Sequence, residues 1–374
     1  MECLNRASYF AVWGQARFPL AQALPLRFTT QMTVTDDIAA TFTTSCQKNK
    51  LVGASLAIWH DGAIKTAQWG VTNLDAPTPV TAETRFQIGS ITKLMTSCMI
   101  MQAVEEGLVT LDDPIVKHLP TFTIVDATCR DQTTIRHCLT HQSGIEGDFF
   151  PHDDPEGPSV SSYIAKMKDL PNLYAPGHGP FAYCNAGFVL LGGVLEKIYG
   201  APWTDLVRNM IFAPCDTAGD TDPFKALTDG HVIGHTPDRQ GKIHPARKTP
   251  FLAQSSAPAG SAIYMSASEL LQFTTSIMSD QILSADSRKA MWSPQVSLPP
   301  FAMDDVTDWG LGWMIGAHDG YHHVGHSGTT IGQYAYMRAF PDHKLAYAVL
   351  TNSPSKVLDQ TLYTDIVETL TGIT

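Results

Sequence analysis

Several features are missing from this chain at once. Its seven cysteines, Cys3, Cys46, Cys98, Cys129, Cys138, Cys184 and Cys215, are odd in number, and no spacing suggests a disulfide framework or a zinc ribbon. No Asn-x-Ser/Thr sequon is present. These absences favour a reducing, cytoplasmic compartment. No stretch approaches the ~20 apolar residues that a membrane span needs. Residues 1–30 hold Arg6, Arg17 and Arg27 against Glu2 alone, and Ala21-Gln22-Ala23 could pass for a cleavage site. Gln15 and Arg17 interrupt the apolar run, however, so the segment reads as an N-terminal extension rather than a signal peptide. Basic residues are also scarce, at 25 Lys+Arg against 36 Asp+Glu, a net charge of −11. That balance argues against nucleic acid or an anionic membrane as partner. Internal repeats and low-complexity segments are absent as well.

Apolar residues make up 44% of the chain and charged residues 16%, an ordinary globular composition. At 374 residues it can bury a large core, in two lobes. TVTDDIAATFTTSCQKN reads as an amphipathic helix with Ile38, Phe42 and Cys46 on one face and Thr35 as cap. LVGASLAIW and AIKTAQWGV form a hairpin around Asp61-Gly62. An apolar helix follows Ser90 to about Gly107, and residues from about 110 to 245 are rich in helical patterns and Pro/Gly loops. After about 255 strands return as DWGLGWMIGA, GYHHVGH, GQYAYMRAF and LAYAVLTN. A closing helix carries Leu358, Leu362, Ile366 and Leu370. The expectation is an α+β fold: an antiparallel sheet flanked by terminal helices, with an inserted, mainly helical lobe. The boundaries are 1–30 for the extension, 31–110 with 250–374 for the α/β lobe, and 111–249 for the helical lobe.

Ser90-Ile91-Thr92-Lys93 is the most informative stretch. A serine at a first helical turn lies near free backbone N–H groups. A lysine three residues later shares its helix face and can take the proton of a serine nucleophile. Ser-x-x-Lys also occurs at Ser45–Lys48, in the polar tail of the first helix, and at Ser353–Lys356, in a turn before an exposed helix start. Only Ser90–Lys93 leads into an apolar helix, where a buried lysine is costly. Tyr183-Cys184-Asn185, the chain's one Tyr-x-Asn, falls where a Pro/Gly loop meets an apolar helix. A phenol there can shuttle a proton and an amide can hold a substrate carbonyl or N–H; the plainer alternative is Asn185 as an N-cap with Tyr183 packed behind it. His326-Ser327-Gly328 lies at a strand end before small residues that admit a substrate backbone, unless it is another tight turn. His60–Gly62 and His318–Gly320 read as hairpin turns. His137/His141, His231/His235 and His322/His323/His326 are the candidate metal pairs and cluster. None sits in a His-Glu-x-x-His pattern, so no metal and no cofactor is expected.

Together the three motifs and their order resemble the serine β-lactamase and D-alanyl-D-alanine peptidase superfamily. The class C branch, with its esterase, amidase and acyltransferase relatives, is the most similar part. The likeness runs from about Asp36 to the C-terminus through LDDPIVKHLP, TIRHCLTHQSGIEG, APAGSAIYMSASELLQF, WGLGWMI and LAYAVLTNS. It implies catalysis by Ser90, Lys93 and Tyr183, substrate binding by Asn185, His326 and Gly328, and an oxyanion hole from the N–H groups of Ser90 and Thr329. Two departures stand out. The third motif begins with His326 where β-lactamases usually have Lys-Thr-Gly, and Cys184 replaces a smaller residue.

The expected function is therefore a serine hydrolase forming an acyl-enzyme with a small ester, amide or lactam. An acyltransferase with the same intermediate, or a binding protein that has lost catalysis, are the alternatives. An unperturbed histidine titrates near pH ~6.5. Carboxylate-bearing substrates are thus expected to bind less well past neutrality than neutral esters or amides.

Overall fold

A computed structural model describes residues 36–147, 149–153, 158–229, 232–246, 252–299, 305–318 and 320–353. The expected closing helix, the extension 1–30, Thr35 and Lys356 lie outside these residues. The first described helix, α1, spans Asp36–Lys48. Strands β1, Gly53–His60, and β2, Ala63–Gly70, form the expected hairpin. Its turn residues Asp61 and Gly62 have φ of 47° and 92°, the positive values that two-residue hairpin turns demand. Six more strands come from the far end: β3, Val296–Ser297; β4, Val306–Trp309; β5, Met314–His318; β6, Tyr321–Thr329; β7, Tyr334–Phe340; and β8, Leu345–Thr351. They join the hairpin in one antiparallel sheet of order β2-β1-β8-β7-β6-β5-β4-β3. β1 closes on β8 with Ala57 opposite Ala348. The sheet is thus built from both ends of the described chain, and mainly helical structure lies between.

One expected strand is divided. DWGLGWMIGA runs through a tight turn at Gly310–Trp313, closed by Gly310 N donating to Trp313 O (2.8 Å), with Gly312 at φ 85°. Two glycines two residues apart make that turn easier than a continuous strand. It also lets Gly312 N donate to Leu139 O (3.0 Å).

The sheet separates two apolar layers. On the outer face, Ile38, Phe42 and Cys46 of α1 cover Leu56, Ile58, Tyr336, Tyr347 and Val349. Phe42 is fully enclosed, and burying such a side chain contributes about 2 kcal/mol. The inner face carries small residues, Ala57, Ala339, Ala346 and Ala348. Two helices fill the space above them: α2, Thr92–Glu105, and a later one, Ala267–Met278, whose start is fixed by a Ser266/Glu269 capping box. The helix α3, Asn185–Tyr199, crosses the same core. Helix α2 is buried on nearly all sides, so its one lysine has no solvent to reach.

The two other Ser-x-x-Lys serines are less exposed than expected. Ser45 sits inside α1 at 3% exposure. Ser353 is 2% exposed, and its Oγ accepts the Val52 N–H at 2.6 Å. Ser353 joins the end of β8 to the start of β1, so its hydroxyl is structural.

Candidate active site

Ser90 stands in a tight 3-10 turn, Gly89–Ile91, just ahead of α2 rather than in its first α-turn. Gly89 holds φ at 54°, which turns the chain so that Ser90 is half-buried and Lys93 points inward. Lys93 is fully buried. Its Nζ lies 3.1 Å from Ser90 Oγ, 2.8 Å from Asn185 Oδ1 and 2.5 Å from Ala259 O. Burial pushes the amine down to about 7. Cys184 would oppose that shift only as a thiolate, and its own burial keeps the thiol protonated. Neutral Lys93 has two N–H bonds and one lone pair. Asn185 Oδ1 and Ala259 O can only accept, so they take both N–H bonds. The lone pair then faces the Ser90 hydroxyl.

Tyr183 and Asn185 reach this point from the loop-to-helix junction. The N-cap of α3 is Cys184, whose Sγ accepts the Gly187 N–H at 3.3 Å. Asn185 is thereby released from capping and turns to Lys93. The Tyr183 ring centre is 4.9 Å from Lys93 Nζ. Desolvation pushes the phenol pKa well up, and a hydrogen bond with Ser90 offsets this only in part. Tyr183 is therefore a neutral phenol that touches the serine.

His326 lies inside β6 rather than at its end. It is buried, opposite Met337 of β7, with its ring 6.3 Å from that of Tyr183. Its Nδ1 is 2.5 Å from Ser327 O, so Nδ1 carries the proton and Nε2 a lone pair. Burial, reinforced by Lys93, pushes His326 down to about 3. The expected weakening of carboxylate binding through neutrality is thus corrected, because His326 is already uncharged there.

Thr330 N donates to Gln333 O (3.0 Å), so Thr330–Gln333, one residue beyond the β6–β7 ladder, continues it as a bonded pair. By the two-residue alternation of antiparallel strands, Gly328–Ala335 is the next. The Thr329 N–H, between them, points off the opposite edge, where pairing with β5 has ended at Gly325–Met314. That edge meets the serine turn. A Cβ on Gly89 would stand 2.8 Å from Thr329 N, and one on Gly328 would stand 2.0 Å from Ile88 O and 2.9 Å from Ser90 N. Gly260, at φ 135°, completes the closure, since its Cβ would come within 2.9 Å of Ser90 N. Three glycines thus let three backbones meet around one serine, with the amides of Ser90 and Thr329 on adjoining strands of chain.

The structure brings together every residue singled out from the three motifs. Sequence reasoning missed the Ala259 carbonyl, the capping thiol of Cys184 and the buried imidazole of His141. The phrase APAGSAIYM pointed to the first region but not to a carbonyl. Two members of the histidine pairs serve elsewhere: His137 Nδ1 accepts from Thr134 N, and His235 lies between Asn352 O and Leu74 N. His231 lies outside the described residues. Among the described residues, no three potential ligand side chains converge.

Residues 38–371 match the family model described as Beta-lactamase. Penicillin-binding protein 4 of Amycolatopsis lactamdurans is 28% identical over 328 residues, covering 86% of this chain and 85% of that one. The structure of an octameric penicillin-binding protein homologue from Pyrococcus abyssi superposes with TM-score 0.75 at 24% identity, over 90% of this chain and 78% of that one. The D-amino acid amidase of Ochrobactrum anthropi SV3, complexed with L-phenylalanine amide, gives TM-score 0.74 at 20% identity, over 90% and 96%.

Proposed function

This chain belongs to the beta-lactamase family, and on that premise we propose that it hydrolyses a small neutral ester or amide through an acyl-enzyme on Ser90. The hydrogen-bond inventory of Lys93 carries the reading: two fixed acceptors consume its N–H bonds and leave its lone pair for the serine. Ser90 loses its proton to Lys93 as Oγ attacks the carbonyl carbon. The amides of Ser90 and Thr329 receive the developing oxyanion; one such donor typically contributes about 3 kcal/mol to the transition state. Tyr183 protonates the leaving amine or alcohol as the tetrahedral intermediate collapses and is restored by the proton that Lys93 took from Ser90, so that both residues return to their resting states. The raised pKa of Tyr183 keeps it protonated at rest, so it enters as a carrier that passes a proton on rather than as a standing base. Water, activated by the same pair, then releases the acyl group; an alcohol or amine acceptor in its place would give transfer instead.

Neutral substrates are favoured because His326 offers no cation for a carboxylate near neutral pH. Its Nε2 can only accept, which suits an N–H or O–H on the substrate. The test is a panel of p-nitrophenyl esters, D-amino-acid amides and chromogenic β-lactams, with intact-mass analysis of the protein during turnover. A covalent acyl adduct on the peptide containing Ser90, absent in Ser90→Ala, is the expected result. Turnover retained by Ser90→Ala, or cephalosporin hydrolysis as efficient as that of neutral esters, would overturn it.

A further inference from the structure

His141 is fully buried and stands outside the three motifs. Its backbone φ is 55°, a left-handed conformation uncommon for a residue with a side chain. Its carbonyl accepts the Ala182 N–H (3.1 Å), and its Nδ1 accepts the Cys184 N–H (2.9 Å). These two amides bracket Tyr183. The imidazole also lies over the Tyr183 ring, centre to centre 4.3 Å at a 32° tilt. The Trp309 ring lies 4.8 Å and the Phe188 ring 5.2 Å from the imidazole, centre to centre. The loop itself is anchored: Leu139 O accepts from both Gly312 N (3.0 Å) and Trp309 Nε1 (3.2 Å).

We propose that His141 is the positioning residue for Tyr183, holding the chain on both sides of it and its ring from one face, so that the phenol stays against Ser90. The proposal rests on the proton-transfer role given to Tyr183 above. A backbone amide can only donate, so Nδ1 must keep its lone pair and the ring proton sits on Nε2. That Nε2 is buried with no hydrogen-bond partner among the described residues. An apolar side chain would fill the space without burying an unpaired donor, but it could not hold the Cys184 amide. The titratable groups around the ring are Lys93 of α2, His326 of β6, and Tyr183 and Cys184 beside α3. Burial first, then Lys93 and His326, keep the imidazole uncharged, as the Cys184 bond requires.

The test is kinetic. His141→Leu and His141→Asn are made in the wild type and in Tyr183→Phe, and kcat, KM and Tm are measured on a neutral p-nitrophenyl ester. Asparagine offers an acceptor and tolerates a left-handed backbone. His141→Leu should lower kcat by up to about a hundredfold, the scale of a small misplacement, with KM nearly unchanged. His141→Asn should recover most of that loss. In Tyr183→Phe, His141→Leu should cost little more, because two residues acting through one group are not additive. Equal losses in both backgrounds would overturn the proposal. A large effect of Tyr183→Phe beside a silent His141→Leu would overturn it alone; a silent Tyr183→Phe would overturn both it and the role of Tyr183. If His141→Leu does not fold, His141→Asn decides, since a folded Asn variant as slow as Tyr183→Phe would also overturn it.

Discussion

Two buried cations lie on opposite sides of the same sheet, and they have opposite fates. On the inner side Lys93 meets only neutral oxygens, from Ser90, Asn185 and Ala259, and burial brings its pKa to about 7. On the outer side Arg338 is 2% exposed, but its Nε lies 3.5 Å from Asp305 Oδ2 and its guanidinium 4.1 Å above the Tyr336 ring. His323 Nε2 shares the same carboxylate at 3.1 Å. Burial alone would push Asp305 up; Arg338 and His323 reverse this and hold it well below the usual carboxylate range. A buried cation with a carboxylate partner stays charged and serves structure. One with only dipoles around it gives up its proton readily and becomes available for chemistry.

The sharpest way to break the inner side is to remove what Lys93 serves. Ser90→Ala should abolish turnover and the covalent adduct while circular dichroism and Tm stay near wild type. Next come the proton carriers. Lys93→Ala and Tyr183→Phe should each lower kcat by about 10²–10⁴-fold, the usual worth of an acid–base partner. A change in KM alone would exclude either from proton transfer.

The contrast itself is tested by giving Lys93 the partner that Arg338 has. Asn185→Asp places a carboxylate in the position that now accepts from Nζ at 2.8 Å. An opposite charge favours the protonated amine, so its pKa should rise. In wild type, kcat/KM on a neutral ester should climb with pH and reach half its plateau near the value of about 7 given for Lys93. In Asn185→Asp the climb should move to higher pH, with activity at pH 7 reduced in step. An unmoved profile would mean that Lys93 is not the titrating base. The smallest effect on turnover should come from the outer side. Asp305→Asn removes the carboxylate that Arg338 and His323 share and should cost about 3 kcal/mol of stability, read by denaturant unfolding. The folded fraction should keep its kcat.

What could be read in advance followed from residue type and spacing. The hairpin at Asp61-Gly62, the buried face of Ile38, Phe42 and Cys46, and the apolar helix after Ser90 are all patterns local to the chain. The three motifs are equally local, and the structure sets them side by side. The parts that escaped are those that depend on what a residue meets. Ala259 contributes a carbonyl, which every residue has. His141 works through amides reached only when its loop folds back over the Tyr183 turn. His326 was given its free-solution titration because burial and the nearness of Lys93 leave no mark in GHSG. DWGLGWMIGA was extended because the pull of Leu139 O on Gly312 comes from a distant helix end.

The glycine contacts around Ser90 bear on how the protein is made. Gly89, Gly260 and Gly328 belong to stretches that leave the ribosome far apart in time, and domains begin to fold during synthesis. A nascent chain carries its serine and lysine long before β6, the strand that supplies Thr329. Until that strand docks, the backbone amides that the mechanism requires have not been brought together, and Ser90 is an ordinary alcohol. On the mechanism proposed above, the serine is therefore armed only by the completion of folding, and a truncated chain is expected to be chemically quiet.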